Sequence, residues 1–121
     1  MTRKILLIED DQFIRDLYER QFKLAGFEVD SAADGEVGLQ KANINAYNMI
    51  LLDLLLPKIN GLDLLKTLKQ NSQTKNIPVV ILSNLANDTH LETGMRLGAL
   101  AYIIKSQSTP RQVIEQIQSL L

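Results

Sequence analysis

The stretch Asn48-Met-Ile-Leu-Leu-Asp53-Leu-Leu-Leu-Pro57-Lys-Ile-Asn60-Gly61 decides how the chain is read. An apolar, β-prone run ends in the carboxylate of Asp53, and Pro57 with the pair Asn60-Gly61 then supplies turn formers. A short continuous apolar run bounded by turn signals suits a strand buried on both faces, as in a parallel sheet. Such a strand delivers its last side chain to the carboxyl edge of the sheet, where open α/β folds bind ligands. Asp53 is therefore either a ligand-facing group or a turn cap, since Asp also serves turns at strand ends. The residues that the other strands carry to the same edge decide between the two.

Upstream, Lys4 to Ile8 is a first apolar strand ending in Glu9-Asp10-Asp11. Ile14, Leu17, Tyr18, Leu24 and Ala25 then recur near helical spacing, and Gly26 is a helix stop. Residues 27–31 alternate in character, which suits an edge strand, and Asp34 caps a second helix running to about Ile44, weakened by Gly35 and Gly38. Downstream of the central run, Asn60-Gly61 opens a third helix and residues 71–76 form a polar loop. A fourth strand over 78–82 ends at Ser83, and Asn87 or Asp88 caps a fourth helix. A fifth strand over 100–104 ends at Lys105. Thr109, Pro110 and Gln112 give the last helix an N-cap, a first-position proline and a capping box. Five strands alternating with five helices predict an α/β fold with a parallel sheet, all within one domain over residues 1–121.

Composition narrows the function. The 121 residues carry a formal net charge of -1, with 45% hydrophobic and 22% charged residues, an ordinary soluble globular balance. That charge, with no basic stripe and few aromatics, argues against direct nucleic-acid binding. The absence of cysteine excludes disulfides, thiolate metal sites and cysteine nucleophiles. The N-terminal apolar run is stopped within a few residues by Glu9-Asp10-Asp11, too early for a signal peptide, and nothing approaches a membrane span. A cytoplasmic location is expected.

Right-handed crossovers and a doubly wound strand order of 2-1-3-4-5 place the first and third strands side by side. Glu9 or Asp10 then lies roughly one strand spacing, ~4.8 Å, from Asp53. Two such charges at ~4 Å repel by about 4 kcal/mol at an effective dielectric near 20. A cation between them or a raised pKa is required. Oxygen-only ligands suit magnesium or manganese. Lys105 would offer an ammonium to a phosphate, and Ser83 a hydroxyl. A carboxylate nucleophile, a metal, an ammonium and a hydroxyl together describe a phosphoryl-transfer site with an aspartyl-phosphate product.

These same segments resemble the receiver domain of bacterial two-component response regulators, over the whole chain. The matching pieces are Ile5 to Asp11, Leu51 to Pro57 with Asn60-Gly61, Pro78 to Ser83, and Gly98-Ala99 through Tyr102-Ile-Ile-Lys105. The resemblance implies a flavodoxin-like fold and a phosphorylation switch rather than an enzyme with a turnover substrate. It implies that Asp53 accepts a phosphoryl group from a histidine kinase or histidine phosphotransfer protein. Glu9, Asp10, Asp53 and the main-chain oxygen of Leu55 would hold magnesium, Ser83 and Lys105 would bind the phosphoryl group, and Ser83 and Tyr102 would switch. The fourth helix, fifth strand and fifth helix would then present a changed face to a downstream protein target, a fused output domain or a second copy of the chain. Both a stand-alone receiver and one cut from a longer regulator fit the sequence.

Three departures from the family pattern carry expectations. Ser106 follows Lys105 where the family usually has a cis-linked proline. A cis bond there would cost roughly 2.5–4 kcal/mol, so a trans bond is expected, with the reach of Lys105 altered or more mobile. Asn84 replaces a very small residue and would narrow phosphodonor access or add a hydrogen bond. Leu55 and Leu85 flank the hydrolytic water position and cannot orient water, so slow self-dephosphorylation is expected. The competing functions are a phosphate-independent pseudo-receiver and a magnesium-dependent aspartyl phosphohydrolase, the latter disfavoured by Leu55 where an acid/base carboxylate would stand. His90, the sole histidine, is expected on a solvated helix surface away from the site. Gly35 and Gly38 do not complete a dinucleotide fingerprint.

Overall fold

The computed structural model describes residues 2–85 and 87–121. The apolar runs form β1 (Lys4–Ile8), β3 (Met49–Leu52), β4 (Val79–Ser83) and β5 (Ala101–Ile104), and the more polar β2 (Glu28–Ala32) joins them. All pair in parallel in the order β2-β1-β3-β4-β5, as the sequence predicts, with β2 at an edge. Between and after them run α1 (Gln12–Leu24), α2 (Gly35–Ile44), α3 (Gly61–Gln70), α4 (Asp88–Arg96) and α5 (Pro110–Leu120).

Why these strands are apolar throughout follows from what covers them. Successive side chains of a strand point to opposite faces. Leu6, Ile8, Ile50, Leu52, Val79 and Ile81 face one side, packed with Ala42 of α2 and Leu64, Leu65 and Leu68 of α3. Ile5, Leu7, Met49, Leu51, Val80 and Leu82 face the other, packed with Tyr18 and Phe22 of α1 and Val113, Ile114 and Ile117 of α5. Each side chain taken fully out of water contributes roughly 1.5–3 kcal/mol, so both faces drive the fold. Gly38, a weak helix residue, is explained here: a Cβ on it would lie 2.7 Å from Ile8 Cδ1, so glycine lets α2 sit close to β1.

Element ends differ from the sequence reading by about one residue. Phe27 turns into the core edge-on to Phe22, ring centroids 5.4 Å apart, and β2 therefore begins at Glu28 and runs to Ala32. β3 ends at Leu52, yet the Asp53 N–H still donates to Ile8 O at 3.1 Å, which keeps Asp53 in the register of the sheet. A 3₁₀ turn over Lys105–Gln107, not anticipated, joins β5 to α5. His90 is half-buried on α4 rather than fully solvated. No helix among the described residues is long and apolar enough to cross a membrane.

Candidate functional site

The carboxyl edge of the sheet collects the side chains singled out above. Register places Ile8 opposite Leu52, so Glu9 and Asp53 leave adjacent strands side by side. Ser83 closes β4 opposite Ile104, and Lys105 follows at the next position. Glu9, Asp53 and Ser83 are buried, whereas Asp10 is exposed at the mouth. One oxygen of Asp53, Oδ1, accepts from the Ser83 hydroxyl at 3.0 Å and from the Leu55 N–H at 3.1 Å. The other, Oδ2, accepts from Lys105 Nζ at 2.8 Å, and the same ammonium donates to Glu9 Oε2 at 2.5 Å.

The repulsion expected between the acidic groups is met in both ways physics allows. The Lys105 ammonium lies between Glu9 and Asp53. Burial, reinforced by the Asp53 charge and opposed by Lys105, pushes the Glu9 carboxyl up to about 7. Burial alone would lower Lys105, but its hydrogen bonds to Asp53 and Glu9 outweigh that and hold it above the usual lysine value. Its bond to Ser106 is trans, as expected, and its ammonium still spans both carboxylates.

The donor set fits a hard divalent cation. One carboxylate oxygen each from Glu9, Asp10 and Asp53 lies within 4.8 Å of the others, and oxygen is what magnesium and manganese prefer. Tyr102, half-buried on β5, donates its hydroxyl to Leu85 O in the loop after β4. Asn84 makes a hydrogen bond, one of the two alternatives expected of it: its Oδ1 accepts from the Ser106 N–H at 2.8 Å.

Local sequence explains how the edge is built. Asp11 caps α1 by accepting from the Ile14 N–H at 3.0 Å, which leaves Glu9 and Asp10 free of the capping role. Asn60 caps α3, and Gly61 sits where a Cβ would lie 2.4 Å from Leu54 Cα and 2.7 Å from Asp53 O. Only glycine permits that approach, so the turn behind Asp53 depends on it. One contributor escaped the sequence reading. Arg15 Nη1 donates to Glu9 O at 2.8 Å and Asp10 O at 3.3 Å, fastening the acidic loop to α1. A cation early in a helix opposes the helix dipole, and this mismatch is the signal that could have marked it.

Known proteins share this fold. The family model described as response regulator receiver domain matches residues 5–118. The response regulator ArlR of Staphylococcus saprophyticus is 38% identical over 102 residues, covering 84% of this chain and 45% of that protein. The probable transcriptional regulator ycf27 of Cyanophora paradoxa is 34% identical over 119 residues, covering 98% of this chain and 48% of that protein. The chain thus spans less than half the length of these relatives. Among solved structures, the chemotaxis protein CheY4 of Vibrio cholerae superposes with a TM-score of 0.92 at 27% identity, each chain covered completely. The Mn(2+)-bound form of response regulator Rcp1 gives 0.82 at 31% identity, covering 98% of this chain and 91% of that one. With the parallel sheet, the acidic edge and a family match over nearly its whole length, the chain belongs to the response regulator receiver domains of two-component signalling.

Proposed function

We propose that Asp53 is the phosphoacceptor of a signalling switch. The observation that carries this is the convergence on Asp53 of an ammonium and a hydroxyl at opposite oxygens, beside two further carboxylates. An Asp53 carboxylate oxygen attacks the phosphorus of a phosphohistidine on a histidine kinase or phosphotransfer protein. The phosphorus–nitrogen bond breaks, the imidazole takes the electron pair, and an acyl phosphate remains on Asp53. Glu9, Asp10, Asp53 and the Leu55 main-chain oxygen would hold magnesium, or manganese, which supplies positive charge against the phosphoryl oxygens. Lys105 moves from the carboxylate to the phosphoryl group as a point charge, and Ser83 turns its hydroxyl the same way.

Moving Ser83 draws in the loop after β4. Tyr102, bonded to Leu85 in that loop, follows, and the face of α4, β5 and α5 changes. Leu91 and Met95 of α4 are exposed and offer an apolar surface to a target, an output domain or a second copy. Phosphorylation shifts this equilibrium only by its differential interaction with the two states. Incubation with acetyl phosphate and magnesium, read by intact-mass spectrometry, tests the proposal. One added phosphoryl group, absent in Asp53→Asn, is the expected result. No adduct would identify a phosphate-independent binding module, and sustained turnover of a small phosphoester would identify a phosphohydrolase.

A further inference from the structure

Pairing between β4 and β5 ends at Ser83 and Ile104. One residue beyond Ser83, the exposed side chain of Asn84 accepts a hydrogen bond at 2.8 Å from the exposed backbone N–H of Ser106, two residues beyond Ile104. Its position is informative. Asn84 directly follows Ser83, which holds Asp53 Oδ1, and Ser106 directly follows Lys105, which holds Asp53 Oδ2. Lys105 is thus fixed on one flank by the last rung of the sheet and on the other by Asn84. Beside it lies a shallow cleft lined by Ile14, Leu17, Tyr18 and Pro110, room into which an untethered turn can swing.

We infer that Asn84 is a positioning residue for Lys105: by holding the Ser106 N–H it joins the two loops that carry the partners of Asp53, so that Ser83 and Lys105 address the carboxylate as one unit. The bond does not touch Asp53 itself. It limits where the backbone of Lys105 starts, and a long side chain magnifies any error at its root. The sequence hides this arrangement because the partners are 22 residues apart and the donor is main chain.

The site has two halves that can be tested separately. In the metal-free protein, amide hydrogen exchange reads the Ser106 N–H, and ¹⁵N NMR of the lysine side chain reads the order of the Lys105 ammonium. Asn84→Ala is expected to speed Ser106 exchange about fivefold to tenfold, the loss of one solvent-exposed hydrogen bond. It should also loosen the Lys105 ammonium, while amides of the β-strands stay protected. Ser106→Ala keeps the N–H and should leave both signals as they are. Asn84→Leu keeps the size of the side chain but not its acceptor and should loosen Lys105 to the same degree as Asn84→Ala. An Asn84→Ala protein whose Lys105 ammonium stays as ordered as in the parent would overturn the inference, as would an Asn84→Leu protein that behaves as the parent. The consequence for chemistry rests on the proposed role of Asp53. If acetyl phosphate labels the parent, Asn84→Ala should be labelled more slowly and Ser106→Ala at the parental rate. Equal labelling of all three overturns the positioning role, whereas a parent that takes no label while Lys105 responds as described overturns the phosphoacceptor reading alone.

Discussion

At the scale of single residues, Glu9 is the most informative. Folding raises its pKa from the ordinary 4.5 to about 7, chiefly by burial, so the folded state binds this proton more tightly than the unfolded chain does. The stability that follows is fully present below pH 4.5 and is lost as the pH rises through about 7. In the presence of a chelator, the parent protein should therefore lose on the order of 2 kcal/mol over that window relative to Glu9→Gln, which carries no such proton. Urea unfolding at several pH values checks this, and parallel curves for the two proteins would refute it. Leu55 and Leu85 make a second residue-scale case. Leu55 is 58% exposed beside Asp53, and neither side chain can orient a water for attack. Leu55→Asn should shorten the acyl-phosphate lifetime by about tenfold, a barrier change of ~1.4 kcal/mol. Decay of the phosphorylated protein, followed by mass, would show no change if water is positioned by something else.

At the scale of elements, the helix starts were written locally. Asp11, Asp34, Asn60, Asn87 and Thr109 each accept a backbone N–H in the first turn, and Thr109 with Gln112 completes the capping box. The glycines divide by what surrounds them. An added Cβ at Gly61 meets the backbone of Asp53 and Leu54, which cannot yield without moving the turn behind Asp53. At Gly94 its one crowded contact is Ile81 Cδ1, at 2.5 Å, the far end of a flexible side chain, and the Tyr102 ring carbons at 3.6 and 3.8 Å are at ordinary contact distance. Gly61→Ala should cost about 3 kcal/mol, whereas Gly94→Ala should cost about 1 kcal/mol or less, because helix propensity offsets the crowding. Equal destabilisation of the two variants in chemical denaturation would show that the β3–α3 turn is softer than its contacts indicate. The junction after β5 could not be read so directly. Its 3₁₀ turn is met by a side chain from a different loop, Asn84, and no local motif announces that.

At the scale of the whole molecule, a metal held by the acidic cluster would link binding to stability, because the cluster's members come from two strands that meet only when the chain is folded. A ligand that binds the folded state alone stabilises it by about 2.7 kcal/mol at a free concentration 100 times its Kd. Magnesium should accordingly raise the melting temperature, and Asp10→Asn should weaken the dependence on magnesium concentration. A melting temperature indifferent to magnesium in the parent would exclude the cluster as a metal site.

Alternation of apolar runs with amphipathic segments determined the strand order, the two covered faces and the edge at which Glu9, Asp53, Ser83 and Lys105 would gather. These follow from side-chain periodicity, from burial and from the handedness of crossovers, all of which act through local sequence. Tertiary structure alone decided who touches whom at that edge. Lys105 bridges Glu9 and Asp53, Arg15 fastens the acidic loop, and Asn84 holds Ser106. Each of these contacts joins separate segments through long side chains or main-chain groups. Their distances depend on where neighbouring elements place each side chain, which no spacing along the chain encodes.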